Sequence, residues 1–391
     1  MRLPNQVYNK IYGLLSLERL DKMDSLFTSH KIKNLEIKNR VVLPPMVCFG
    51  VSDDDNFVSE KNINHYKSMA KGGAGLIIVE AAAVSKDGRL SPDQLGIWDD
   101  KYIDGLSKIV KVCHENDAKV FVQIHHAGLK SPKSVKEDTV SSSNHRDGKV
   151  SARELTQYEI MQIHKDFIAG AIRAEKAGFD GIELHGAHSY LFTQFFSSKV
   201  NKRTDRYGGS LDNRLKIVRD IFTGIKNHVS DDFITGIRMG CNENDLGTST
   251  AMAKSFEEMG MDFIHVSTGF DNTKIDAEIP EDFPCNWIVY GATKIKENVN
   301  IPVIAVNSIK KPAQARYLID QNLVDFVAIG RAQLADHNFV NHIKDDSIVN
   351  CLGCRPCGWF SKADNCPERK YKGLNKPSPV IKDCNSVHKS N

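Results

Sequence analysis

The stretch TQYEIMQIHKDFIAGAIRAEKAGFDGIELHGAHSY, residues 156–190, holds one whole unit of the architecture. Thr156 is followed three residues later by Glu159, the spacing of a capping box, so a helix opens there. Apolar residues then recur at helical spacing until Gly178, a plausible C′ residue. After a short turn, GIELHGA (181–187) reads as a buried strand. A helix feeding a buried strand through so short a turn is the repeating step of a parallel α/β protein.

The same step recurs along the chain. Apolar, Val- and Ile-rich runs occur at RVVLPPM (40–46), GLIIVEAA (75–82), KVFVQIHH (119–126), FITGIRMG (233–240), FIHVSTGF (263–270), PVIAVNS (302–308) and FVAIGR (326–331). Helix-like stretches such as YIDGLSKIVKVCHEN and LDNRLKIVRDIFTGIKNH separate them. Eight such units predict an α/β fold, a (β/α)₈ TIM barrel, rather than a doubly wound open sheet. The polar segment 130–153 is expected to be a long loop between the third strand and its helix. GGAGL at 72–76 precedes a strand and lacks a third glycine, so it reads as a helix-to-strand turn and not a dinucleotide fingerprint. The chain divides into an N-terminal extension (1–24), the barrel (25–345), and a C-terminal cysteine-rich extension with a mobile tail (346–391).

Composition narrows the function. The 52 basic and 49 acidic residues nearly balance, which gives no support for a nucleic-acid partner. No run approaches the ~18–20 apolar residues of a membrane span. The absence of a targeting segment predicts the cytoplasm. Nine cysteines without a signal peptide argue against a disulfide scaffold, and four of them crowd into CLGCRPCGWFSKADNC. Cys351, Cys354, Cys357 and Cys366 follow the pattern C-x₂-C-x₂-C-x₈-C, which suits an iron–sulfur cluster or structural zinc.

Barrel chemistry sits at the C-terminal ends of the strands. The expected ends carry Pro45-Met46, Glu80-Ala81, Gln123 with His125 and His126, His185, Arg238, Ser267-Thr268, Asn307-Ser308 and Gly330-Arg331. Two histidines three apart, His185 and His188, could bind a substrate oxygen, join His125 or His126 at a zinc ion, or form a polar layer. For a zinc site, Glu80 is the only acidic strand-end residue available as a base.

LFTSHKIKNLEIKNRVVLPPM (26–46), GGAGLIIVEAAAV (72–84), VQIHHAG (122–128), GFDGIELHGAHSYLFTQFFSSKVNKRTDRYGGSLDNR (178–214) and VAIGRAQLADHNF (327–339) resemble the Old Yellow Enzyme family of FMN-dependent oxidoreductases. The cysteine-rich end looks like the branch with 2,4-dienoyl-CoA reductase and trimethylamine dehydrogenase, which carries an iron–sulfur cluster. The resemblance implies FMN at the barrel mouth. Backbone of Pro45, Met46 and Ala81 would contact its ring, and Gln123 would bond the pyrimidine edge. Arg238 would face N1/O2, where a fixed guanidinium stabilises the charge of a reduced ring. Asn307, Ser308, Gly330 and Arg331 would take the phosphate.

By the same resemblance, His185 and His188 donate to a substrate carbonyl oxygen. Tyr190 delivers a proton opposite the hydride, so an enone or enoate is reduced at its C=C bond. Relatives that dehydrogenate amines carry tyrosine at the position of His185, which favours enone reduction here. NAD(P)H bound over the ring, or a partner reductase acting through a [4Fe–4S] cluster, would supply electrons. The FAD- and NAD-binding domains of the cluster-bearing branch are not in this sequence.

Three departures stand out. Asn307-Ser308 replaces a frequent glycine pair. Val47 stands where some members have cysteine, so Cys48 is expected to be a buried small hydrophobe. The gap before Cys366 is short, and Cys384 could substitute for it. The remaining alternatives are a zinc-dependent hydrolase, an amine dehydrogenase-like flavoenzyme and a non-catalytic barrel scaffold. Self-association into a homo-oligomer is compatible with each.

Overall fold

The structure is a computed structural model that describes residues 24–147, 150–362 and 365–368. Most of the expected N-terminal extension, most of the tail, and Cys384 lie outside the described residues. An antiparallel hairpin, β1 (His30–Ile32) and β2 (Leu35–Ile37), comes first. Eight parallel strands then close a barrel: β3 (Val41–Leu43), β4 (Leu76–Ala83), β5 (Lys119–His125), β9 (Gly181–Gly186), β10 (Ile234–Gly240), β11 (Ile264–Ser267), β12 (Val303–Val306) and β13 (Phe326–Ala328). Each strand coincides with one of the eight apolar runs, β4 passing the end of its run by one residue, and β13 pairs with β3 to complete the ring.

Several strands stop short of their runs, for a reason visible in the sequence. Pro44 and Pro45 have no N–H to donate to a ladder, so β3 ends at Leu43 and Met46 lies on the loop beyond it. Asn307 and Ser308 follow β12, with φ of 114° and 54°. These are left-handed conformations, the ones a glycine pair adopts without strain.

The helix α2 (Gln157–Lys176) runs as its sequence predicts. Thr156 caps it, with the reciprocal bond from the Thr156 backbone N–H to Glu159 at 2.8 Å. Gly178 beyond its end has φ 91°. The GGAGL segment is a turn between α1 (Glu60–Lys71) and β4, with Gly73 at φ 99°.

The 130–153 segment corrects the sequence reading, because it is not wholly loop. Val140–Ser141, His145–Asp147 and Val150–Glu154 (β6, β7 and β8) form a small three-stranded sheet beside the mouth. Arg203 anchors it. Its buried guanidinium donates to the carbonyls of Ser142 (2.9 Å) and Leu155 (2.7 Å) and grips Asp205 through two nitrogens.

The barrel interior is layered by the two-residue period of its strands. At the N-terminal end Val42, Leu76, Ile78, Phe121, Ile234, Phe263, Ile304 and Phe326 pack together, and Ile32 and Ile37 of the hairpin plug them. Gly236 makes room for this layer, since a Cβ there would sit 2.3 Å from the Phe263 ring. Two residues further along the strands the interior turns polar, with Gln123, Glu183 and His265, and above these come His125, His185, Arg238 and Ser267.

Candidate active site

A cavity of about 460 Å³ opens at the C-terminal mouth. Every barrel residue assigned from sequence borders it: Pro45, Met46, Ala81, Gln123, His185, His188, Tyr190, Arg238, Asn307, Ser308, Gly330 and Arg331. Ser267, Thr268 and Phe360 also line it.

The histidines form a chain rather than an isolated pair. His125 Nδ1 lies 2.9 Å from His185 Nδ1. His185 Nε2 lies 3.1 Å from His188 Nδ1, and His188 Nε2 lies 2.8 Å from Ser267 Oγ. His188 reaches this position with φ 63° at the turn after β9. Burial holds His185 well below the usual histidine range, reinforced by His125, His188 and Arg238. Burial does the same to His188, with Arg238 next in effect, and to His125. The three rings are therefore neutral, with one N–H each.

The direction of donation follows. His125 Nε2 is buried without a partner among the described residues. An unpaired lone pair costs less than an unpaired N–H, so His125 donates through Nδ1. His185 then accepts at Nδ1 and donates from Nε2, and His188 donates from Nε2 to Ser267. Donation to a substrate oxygen would exchange one of these bonds. The Tyr190 ring stands edge-on to His125, centroids 4.4 Å apart. Burial raises its pKa, partly offset by Arg238, and its O–H stays protonated at neutral pH.

Arg238 is 7% exposed. Its Nε is buried without a partner among the described residues, and one terminal nitrogen reaches Ser267 Oγ at 3.5 Å. A buried guanidinium so poorly satisfied has donors left to offer an acceptor in the cavity. Arg331 donates to Ser308 Oγ at 3.3 Å, which joins the loops after β12 and β13. At Gly330 a Cβ would crowd Met46 Sδ to 3.1 Å. An acceptor-seeking cation, an amide and two left-handed loop residues fit the polar edge and phosphate of FMN.

Glu80 corrects the zinc alternative. It points away from the cavity, accepting from the Cys48 N–H (2.8 Å), Tyr66 Oη (3.2 Å) and Asn62 Nδ2 (3.3 Å). The metal-hydrolase reading thereby loses its base. Cys48 is 1% exposed, as a small core residue should be. Sequence reasoning passed over Glu183 and His265, although each stands two positions before an assigned strand-end residue and so shares its face.

Cys351, Cys354, Cys357 and Cys366 border one small cavity with Arg331, Leu334, Ala335 and Trp359. Among the described residues no three metal-binding side chains converge as a ligand set. Trp359 Nε1 donates to the Val47 carbonyl at 3.1 Å, which ties this segment to the loop after β3.

Fold and site together define a (β/α)₈ barrel with a cation-bearing cavity at its C-terminal mouth. The chain belongs to the NADH:flavin oxidoreductase / NADH oxidase family, whose profile matches residues 25–350. It is 38% identical over 343 residues to the NADH oxidase of Thermoanaerobacter brockii, covering 84% of this chain and 52% of that protein. The chain thus spans about half the length of that relative. It is 36% identical over 324 residues to the NADPH dehydrogenase of Halalkalibacterium halodurans, covering 79% of this chain and 90% of that protein. Its fold is also that of a 2-naphthoyl-CoA reductase complex (TM-score 0.78, 23% identity, 85% of this chain and 54% of that one). A further likeness is an old yellow enzyme homologue from Zymomonas mobilis (TM-score 0.71, 24% identity, 84% and 95%).

Proposed function

We propose that this chain is a cytoplasmic FMN-dependent NAD(P)H oxidoreductase that reduces the C=C bond of an α,β-unsaturated carbonyl compound. The observation that carries this reading is the meeting of His185, His188 and Tyr190 over a cavity floored by Gln123 and Arg238. FMN would be held by Gln123 and Arg238 at its polar ring edge and by the Pro45, Met46 and Ala81 backbone along the ring. Asn307, Ser308, Gly330 and Arg331 would take its phosphate. When bound, it supplies a two-electron carrier between NAD(P)H and substrate.

The chain's own residues do the rest. His185 and His188 hold the carbonyl oxygen with neutral N–H donors, drawing electron density from the β-carbon. Tyr190 keeps its proton until the α-carbon needs it. Arg238 places fixed positive charge where negative charge develops.

The barrel, 25–345, is the catalytic unit in this reading, and 346–391 is a cysteine-rich segment. The x₂ spacing and shared cavity of Cys351, Cys354, Cys357 and Cys366 support a [4Fe–4S] site; these thiolates would hold the cluster, which when bound would supply a one-electron relay for a partner reductase as a second electron source. Iron and sulfide assays on anaerobically purified protein test that part.

The main test is direct. Protein denatured after purification should release FMN, and anaerobic NADH or NADPH should bleach the bound flavin. Addition of 2-cyclohexen-1-one should restore its colour. Tyr190→Phe should slow this last step by roughly 10²–10⁴ while leaving bleaching unchanged. Protein that releases no flavin and fails to bind added FMN overturns the proposal.

A further inference from the structure

Beneath Gln123 lies a buried pair, Glu183 and His265, that the mechanism does not use. Glu183 and His265 are fully buried, and Gln123 is 1% exposed. Gln123 and Glu183 are direct partners in the β5–β9 ladder, which sets their side chains side by side. Gln123 Nε2 donates to Glu183 Oε1 at 2.7 Å. His265 Nδ1 lies 2.7 Å from Glu183 Oε2. Gly236 is the partner of Glu183 on the intervening strand, and His265 is the partner of Arg238, two residues further along that strand.

The chemistry of a carboxylate settles the donors. Glu183 only accepts, so the atom of Gln123 facing it is nitrogen and the atom of His265 facing it carries hydrogen. The amide of Gln123 therefore has no freedom to flip. Its nitrogen is committed downward, and its oxygen is the edge left for the cavity that Gln123 lines. Arg238 lines the same cavity as a pure donor.

We propose that Glu183 is a positioning residue: it turns the amide of Gln123 so that Oε1 faces the cavity, and the floor thereby selects a ring edge bearing an N–H beside a carbonyl oxygen that Arg238 receives. This rests on the flavin reading above, and it deepens it. An imide edge matches the floor, whereas an N-alkylated imide presents a methyl group to an acceptor.

The experiment compares FMN with 3-methyl-FMN by equilibrium titration of wild type and the isosteric Glu183→Gln variant. Glutamine at 183 both donates and accepts, so it no longer dictates the amide's orientation. Wild type should prefer FMN by about tenfold, the worth of one hydrogen bond, and the variant's preference should fall towards one. In parallel, the side-chain amide protons of Gln123 are followed by NMR hydrogen exchange in ligand-free wild type, where they should be protected. Equal binding of the two flavins by wild type overturns the proposal, as do Gln123 protons that exchange like a free carboxamide. Should neither flavin bind, the cofactor reading falls, while the exchange measurement still decides the orientation.

Discussion

Arg238 offers a test in which a functional and a structural role give opposite signs. The guanidinium is buried, its Nε has no partner among the described residues and its contact to Ser267 is long. Glu183 directs its two oxygens to Gln123 and His265. A buried donor left unsatisfied costs ~1–3 kcal/mol. Arg238→Met removes that cost along with the charge, so ligand-free stability should stay within about 1 kcal/mol of wild type or rise. FMN binding should respond differently. A charge-assisted hydrogen bond is worth ~1.5–3 kcal/mol, so Kd should rise roughly ten- to a hundredfold. Urea denaturation without ligand and fluorescence titration with FMN read the two effects separately. A variant that loses more than about 3 kcal/mol while binding FMN as before would refute the reasoning, since that is the pattern of a broken structural ion pair.

His126 accepts the Gly128 N–H at Nδ1 and is held at about 4 by burial. Its folded pKa lies below the unfolded 6.5, so its contribution is complete above pH 6.5 and is lost as pH falls towards 4. Relative to His126→Asn, which does not titrate, wild type should lose on the order of 3 kcal/mol between pH 7 and 4; a constant difference in urea midpoints contradicts this. Ser308→Gly relieves a left-handed φ and should leave stability unchanged or raise it by ~0.5–1 kcal/mol, whereas Ser308→Val should lower the melting temperature. Arg203→Met strips partners from Asp205 and from the Ser142 and Leu155 carbonyls. It should cost ~3–5 kcal/mol in chemical denaturation, and a cost under 1 kcal/mol would mean that the small sheet is anchored elsewhere.

The barrel was legible because its signals are local. Capping at Thr156, the turn at Gly178 and the apolar runs depend on a few consecutive residues, and each marks a strand or helix that forms. The small sheet inside 130–153 was not legible, because its strands are short and polar and are held by Arg203 from a distant segment. Strand ends were blurred where apolar residues run past the last ladder pair, as after Leu43.

The site divides in the same way. Strand-end position and resemblance brought every assigned barrel residue to one cavity, since parallel strands deliver their C-terminal ends to one mouth. Sequence could not show that His185 and His188 bond to each other and to His125 and Ser267, nor that Glu80 turns outward while Glu183 turns inward. The alternation of a strand determines which residues share a face. Which face meets the barrel axis, and which polar atoms there find partners, is decided only when eight strands close and every buried donor must find an acceptor.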